Sequence, residues 1–431
     1  MGLLRFMFSG LVTVAFLALP LHVYAQVVDA NSDQYTNNVS ARDYADKRPA
    51  QTAARRRKVD PYTITGYDDG VFSLKPSLEI GAVATNNTDF TSTNRKADVG
   101  YVLKPSLSFA TSWPVNQWTG SVSGNWISFA ANSANDQFSG IAQTDFRLDI
   151  RRSLYVDLQP VATVSESMAG QSQVPSAAVA SRRDWTFGSS AAVTRDFGSY
   201  QAQAKFGVLR SSYGDVPLAN GTIINNSAAN YIEPTLSFRG TLDQRHATLK
   251  PYVELTYDPR FHDVNGDQRN SQGGSVAVGV MFNDGPIWQG DISAIALGRV
   301  YADASLGLAL NGGVVGNVTW SPTPLWSVVG SSTVALNESL VPGLAALPSW
   351  VIGINATYAV RENTFLHAGF SGSITSNGSG FDQTIGANAG ADYMFTRHMG
   401  MTGTVQSTWI NSSQSPSRDE QRVTVGMLLK P

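Results

Sequence analysis

The chain has 431 residues, of which 31 are basic and 33 acidic, giving a formal charge of -2. That balance argues against a nucleic-acid binder, which needs a basic face. There is no cysteine, which excludes disulfides, thiol chemistry and cysteine-held zinc.

Residues 1–25 carry the marks of an export signal. Arg5 is the only charge, Phe6 to Leu19 is apolar, and Val23-Tyr24-Ala25 is a small-x-small-like cleavage site. Cleavage would leave Gln26 first, and loss of Arg5 would take the charge to about -3. Beyond this segment there is no apolar run of about 18 residues, so spanning helices are not expected. Residues 26–69 are polar, with no repeating apolar face, and read as a disordered periplasmic lead-in. The basic run Arg55-Arg56-Arg57-Lys58 reads as a solvated stretch, or else as a contact for anionic lipid or a periplasmic partner.

From residue 70 to Pro431 apolar and polar residues alternate in segments of roughly ten to fifteen. Tyr101, Leu103, Leu107 and Phe109 share one face, and Lys104, Ser106 and Ser108 the other. Phe146, Leu148 and Ile150 likewise oppose Asp145, Arg147, Asp149 and Arg151. Leu249, Val253, Leu255 and Tyr257 oppose Lys250, Tyr252, Glu254 and Asp258. Period two means strands, because a helix repeats near 3.6. Short turns are expected near 112–117, 151–153, 195–199, 241–245, 283–287, 321–325, 361–364 and 396–399. Longer loops alternate with them, near 86–97, 131–140, 168–182, 213–229, 259–272, 338–348, 374–381 and 411–418. Only the link near 301–304 is ambiguous.

The expected fold is all-β: a transmembrane antiparallel β-barrel of about eighteen strands over 70–431. Segments of this length cross a bilayer at a tilt, and closing the sheet pairs every backbone group that lipid cannot. A soluble β-sandwich is the alternative. It is disfavoured by strand length and by the lack of a domain break over about 360 residues. The short-long rhythm places short turns on the periplasmic side and long loops outside. Trp113, Trp118, Trp288, Trp320 and Trp326 flank short turns and read as an interfacial girdle, while Trp350 and Trp409 sit nearer the other boundary.

On the polar phase, candidate pore-lining residues are Lys75, Glu79, Lys104, Asp145, Arg147, Asp149, Arg151, Asp157, Glu233, Arg239, Lys250 and Glu254. Both signs fall on strands expected to be neighbours. They either set a transverse field or pair across strands and stabilise the wall. Tyr155, Tyr231 and Tyr252 share this phase and offer faces on which sugars can stack. A Pro motif recurs at Leu74-Lys75-Pro76-Ser77-Leu78 and Leu103-Lys104-Pro105-Ser106-Leu107, with variants at Pro160, Pro234 and Pro251. Because Pro cannot donate to a ladder, bulges or bends are expected there.

Little points to chemistry. His246, His262, His367 and His398 are scattered, and adjacent His262 and Asp263 should point to opposite faces. Asp263-Val264-Asn265-Gly266-Asp267 hints at a calcium loop, but a polar turn fits better: Gly266 is its fourth residue, where the calcium-loop pattern wants Gly sixth. No enzyme activity, metal or cofactor is expected.

The chain resembles a known family, the beta-barrel porin 2 group of outer-membrane β-barrels. The resemblance rests on the lead-in ending Arg57-Lys58-Val59-Asp60-Pro61-Tyr62, on Leu74-Lys75-Pro76-Ser77-Leu78-Glu79-Ile80-Gly81, on Asn86-Asn87-Thr88-Asp89-Phe90, and on a second strand repeating Pro-Ser-Leu. It covers residues 55 to 431. The chain departs in one respect, ending Met427-Leu428-Leu429-Lys430-Pro431 rather than on an aromatic residue. The resemblance implies an outer-membrane channel, with some members associated with exopolysaccharide export. Passive diffusion of hydrophilic solutes and an export conduit are therefore the two leading expectations, and a plugged structural or adhesive barrel is the third. Expected partners are outer-membrane lipid and lipopolysaccharide, the barrel assembly machinery and, on the second reading, a polysaccharide export complex.

Overall fold

A computed structural model describes residues 66–430, apart from 168–172, 176, 244–246, 285–286, 341–342, 345, 377–379 and 414–415. The export signal, nearly all of the lead-in and His246 lie outside the described residues. Eighteen long strands form the wall. β1 spans Phe72–Thr85, β2 Asp98–Thr111, β3 Gln117–Phe129, β4 Gln137–Arg151 and β5 Leu154–Ser167. β6 spans Arg182–Asp196, β7 Tyr200–Tyr213, β8 Tyr231–Leu242 and β9 Leu249–Tyr257. β10 spans Ser271–Asp284, β11 Trp288–Tyr301, β12 Leu308–Trp320, β13 Trp326–Asn337 and β14 Leu347–Arg361. β15 spans Thr364–Ser376, β16 Phe381–Met394, β17 Met399–Ser412 and β18 Arg418–Leu429.

Each strand pairs antiparallel with its neighbours in sequence, and β18 returns to β1 from Leu78 opposite Leu429 to Thr85 opposite Arg422. The sheet is thus closed, as the alternation predicts. Closure matters because a backbone N–H without a partner costs several kcal/mol in hydrocarbon, to the order of magnitude. The short turns fall where expected, at 112–116, 152–153, 197–199, 321–325, 362–363 and 395–398. The ambiguous link resolves as 302–307, with a short 3-10 turn at Ala304–Leu306.

The two faces separate cleanly. Along β9, Leu249, Pro251, Val253 and Leu255 are exposed while Tyr252, Glu254 and Thr256 are buried. An apolar outer face and a polar inner face invert the soluble arrangement and explain why so few residues are hydrophobic for a membrane protein. Val278 lies on the outer face at the middle of β10 and is 57% exposed. Val278→Arg is expected to destabilise the bilayer-embedded barrel by about 2–4 kcal/mol. Urea titration of folded protein in lipid vesicles, followed by tryptophan fluorescence, would measure it.

Of the bulges or bends expected at the prolines, the bulges are corrected. No register shift occurs at any of the five. Each proline keeps register with one neighbour and sits where the ladder to the other is missing. Pro105 stands opposite Leu78, while pairing with β3 skips from Leu103–Trp126 to Ser106–Ser123. Pro160 stands opposite Ser189, while pairing with β4 skips from Gln143–Val161 to Phe146–Leu158. Pro76, Pro234 and Pro251 lie just past the ends of their ladders to β18, β9 and β8. The missing N–H is therefore aimed at a gap, which makes a bulge unnecessary. The register shifts lie elsewhere, next to the turns at Asp149/Arg151 and Ala359/Arg361.

Aromatic rings gather at both ends of the outer face. At the short-turn end Trp113 packs on Phe72 and Phe146, and Trp118 on Phe72, Phe109 and Phe146. Trp288 stacks on Trp320 at 5.6 Å and Trp326 on Tyr358 at 4.5 Å. Toward the long loops, Trp350 and Trp409 are joined by Trp126 beside Tyr101 and Trp185 beside Phe187. Two such belts mark the two boundaries of a bilayer.

Candidate functional site

The inner face of β1 to β11 is charged, and the charges pair. Lys104 of β2 reaches Glu79, directly opposite on β1, at 3.0 Å. Arg239 pairs with Glu254 across β8 and β9, and Lys250 with Asp243 at 3.1 Å. Arg147 lies 3.1 Å from Asp149 and opposite Asp157. Asp145 accepts from Gln159 at 3.0 Å. Of the two readings open to these charges, the wall-stabilising one matches the contacts. Lys75 is on the inner phase near the short turns and is exposed. Arg151 departs from the expected phase. The register shift after Asp149 sets it opposite Leu154, where it is exposed at the turn and takes no part in the lumen wall.

From β12 to β17 the inner face changes character. It carries mostly uncharged polar residues, Asn317, Thr319, Ser331, Asn355, Thr357, Asn388 and Thr404, with Asp382 and with Asp392 3.8 Å from His367 as its charged groups. The lumen thus has a densely charged side and a side with few charges.

The three inner tyrosines are buried, but their faces are taken. The Arg147 guanidinium lies 3.7 Å from the Tyr155 ring centre, that of Arg239 4.3 Å from Tyr252, and that of Arg260 4.8 Å from Tyr231. The expectation that these rings stand open for sugars is therefore corrected, because cation–π contacts fill the stacking position.

The largest departure from expectation is at the long-loop end. Glu233, on the inner face of β8, binds Arg260 and, at 3.4 Å, Arg299 of β11. Arg299 also pairs with Asp258 and donates to Ser271 Oγ at 3.0 Å. Arg260 continues to Glu338, 3.4 Å away, and donates to Leu336 O at 3.1 Å. Glu338 also faces His262 Nε2 at 3.2 Å and Arg269 at 3.9 Å. Arg260, Arg299 and Glu338 are 2–4% exposed, so these charges sit away from water. Burial alone would push the Glu338 carboxyl up, but His262, Arg260 and Arg269 outweigh it and hold the carboxyl below its ordinary value.

Glu338 follows β13, and Gln173 follows β5, eight strands away in a ring of eighteen. Gln173 nevertheless donates from Nε2 to Glu338 O at 3.1 Å and accepts from the Leu340 amide through Oε1. Its own carbonyl accepts from Arg182 at 3.3 Å, and its backbone sits at φ 65, a conformation rarely taken by a residue with a side chain. Contact between points almost half a circumference apart means that the loops meet across the lumen.

The remaining candidates are placed elsewhere. Asp263 is held by both guanidinium nitrogens of Arg210, and Asn265, at φ 55, opens the short helix Gly266–Arg269, so this stretch is a polar turn. His262 and Asp263 do point apart. His367 lies 3.4 Å from Thr404 Oγ1 inside the barrel, and His398 is at a turn beside Lys430 O. Among the described residues no group of three metal-binding side chains converges. Sequence reasoning missed the Arg260–Glu338 cluster. Arg299 was within reach of the alternation, since it continues the inner phase of Asp291, Ser293, Ile295 and Leu297. Arg260 and Glu338 were not, because loops have no period.

No curated protein matches the chain. Among solved structures it is similar to OccK2 (OpdF) of Pseudomonas aeruginosa, at 10% identity and TM-score 0.42, covering 83% of this chain and 98% of that one. It is similar to P. aeruginosa OpdK with vanillate, at 9% identity and TM-score 0.40, covering 83% and 99%. It is also similar to the FrpB iron transporter of Neisseria meningitidis, at 11% identity and TM-score 0.38, covering 78% of this chain. The chain spans 62% of that transporter's length. Residues 60–430 match the family described as "Putative beta-barrel porin 2", and the chain belongs to that family.

Proposed function

We propose that this protein is an outer-membrane channel for hydrophilic solutes and that its loop contacts gate the outer mouth. One observation carries the reading: a closed wall of eighteen strands with an apolar, aromatic-belted outside and a polar inside. A barrel of that size leaves an aqueous lumen unless loops fill it. Here the loops meet at one end, while the densely charged and sparsely charged sides of the wall run between the belts. Paired charges and uncharged amides favour small neutral or weakly charged solutes over strong ions of either sign.

The test is purified protein in planar bilayers and in liposomes. Discrete current steps and swelling in small sugars are expected from the protein alone. No current and no swelling, from protein with a heat-modifiable mobility on gels, would count against a channel. If deletion in the native cell then also abolished polysaccharide secretion, the export conduit would replace it.

A further inference from the structure

The ladder of the wall breaks in one place that no proline explains. β12 pairs with β11 along its length, from Trp320 opposite Trp288 to Leu308 opposite Val300. With β13 it pairs only from Trp320 opposite Val328 to Gly316 opposite Ser332. β13 then stays with β14 as far as Asn337 opposite Leu347. The β13–β14 hairpin therefore leaves β12 in the half of the wall nearer the long loops, and it leaves inward. Val334 and Leu336 are 1% and 4% exposed and pack with Ile295, Leu297 and Tyr301 on the inner face of β11. Ala309 and Val315 of β12 lie beside them. A Cβ added to Gly313, on the inner face of β12, would lie 3.0 Å from Val334 Cγ2. The wall overlaps itself here, with the hairpin inside and β12 outside.

An unpaired edge at hydrocarbon depth is costly, because no water reaches it. Side chains cover part of this one. Asn311 Nδ2 donates to Ala335 O at 2.7 Å and to Ser349 O at 3.2 Å. Ser332 Oγ donates to Val314 O at 2.6 Å and accepts from Trp350 Nε1 at 2.8 Å. The joint is held by these bonds and an apolar overlap where every other seam has a longer ladder.

We propose that this joint is a lateral path between the lumen and the outer leaflet, and that a single acyl chain uses it. Two observations and the general spacing of strands select that occupant. The surfaces that part when the hairpin leaves β12 are apolar on both sides, Val334 and Leu336 against Ile295, Leu297 and Val315. Outside, exposed Leu310 and Val314 border the joint and continue the lipid-facing wall. Parting two strands by about one strand spacing, ~4.8 Å, admits an extended hydrocarbon chain but not a hydrated headgroup. The headgroup would stay in the polar lumen or at the interface. The proposal rests on the barrel and not on the hydrophilic-channel reading.

The chain has no cysteine, so introduced thiols stand alone. Gly313→Cys with Val334→Cys sets two thiols facing across the overlap, because a Cβ at 313 lies 3.0 Å from the Cγ2 position of Val334. In intact Gram-negative cells, uptake of fluorescent dodecanoic acid and of a small sugar is followed with the bond formed and reduced. Wild-type and reduced double-cysteine protein are expected to pass the acyl probe severalfold above cells lacking the protein. Oxidation should return that flux to background, dithiothreitol should restore it, and sugar flux should not change. Acyl flux that is equal in both redox states, or never exceeds background, overturns the proposal. Acyl flux that follows the bond in a protein passing no sugar supports the lateral path and removes the channel reading instead. A second variant, Asn311→Ala with Ser332→Ala, loosens the joint without a crosslink. It should raise acyl flux, and an unchanged flux in folded protein counts against the path.

Discussion

Glu338→Ala is expected to raise conductance severalfold and to let larger solutes through. Glu338 is where the loops meet: its carboxylate faces Arg260, Arg269 and His262, and its backbone carbonyl accepts from Gln173 on the far side of the lumen. Removing the carboxylate leaves the buried Arg260 and the half-buried Arg269 with less counter-charge. Breaking a buried pair from one side typically costs about 3–5 kcal/mol. Even part of that cost matters for a gate, since about 1.4 kcal/mol changes an equilibrium tenfold. The loss falls on the loop contacts more than on the wall, whose ladders do not involve Glu338. The expected result is therefore a wider or more often open mouth on an intact barrel. Arg260→Ala should act in the same direction and more strongly, because it leaves both Glu233 and Glu338 without their shared partner. The two changes made together should cost less than their sum, as expected for residues in one network. Single-channel recording with solutes of graded size checks this. Wild-type conductance and size limit in folded Glu338→Ala protein would show that the loop contacts do not limit flow.

The wall was legible in the sequence because lipid and water impose a period of two on every strand. Val253 and Glu254 differ in polarity because they face different solvents, and that contrast repeats around the barrel. Turns were legible through the same pattern's interruptions. What stayed hidden depends on contacts distant in sequence. Gln173 and Glu338 meet across 165 residues of chain, and nothing local to either announces it. The pairing of Arg147, Arg239 and Arg260 with tyrosine rings was hidden for the same reason, since alternation gives the face and not the neighbour. The overlap at β13 defeats the pattern outright: Val334 and Leu336 keep the outer phase of Val328 yet are buried, because the strand itself moves inside. Arg151 failed on a single register shift next to a turn.

Acidification should tighten the mouth before it loosens it. Asp258, just past β9, lies beside Arg299, Glu233 and Arg260. Burial pushes its carboxyl up from 3.8 to about 6, against the pull of Arg299. A carboxyl raised on folding contributes stability that is fully present below its unfolded value and lost as the pH rises through its folded value. At neutral pH Asp258 therefore works against the closed cluster, and protonation near pH 6 removes that strain. Glu338 has the opposite sign. Its carboxyl is held below 4.5, so its contribution is present above that value and lost as the pH falls further. Open probability should thus decline as the pH falls through about 6, reach its minimum at about 4, and rise in stronger acid as the Glu338 contribution is lost. Asp258→Asn should abolish the decline below about pH 6 while keeping the rise in stronger acid, because the amide cannot titrate and Glu338 is untouched. Glu338→Gln should do the reverse, keeping the decline below about pH 6 but losing the rise in stronger acid. A wild-type open probability that rises steadily from pH 7.5 downward would mean that the two carboxyls do not set the mouth in the way their surroundings require.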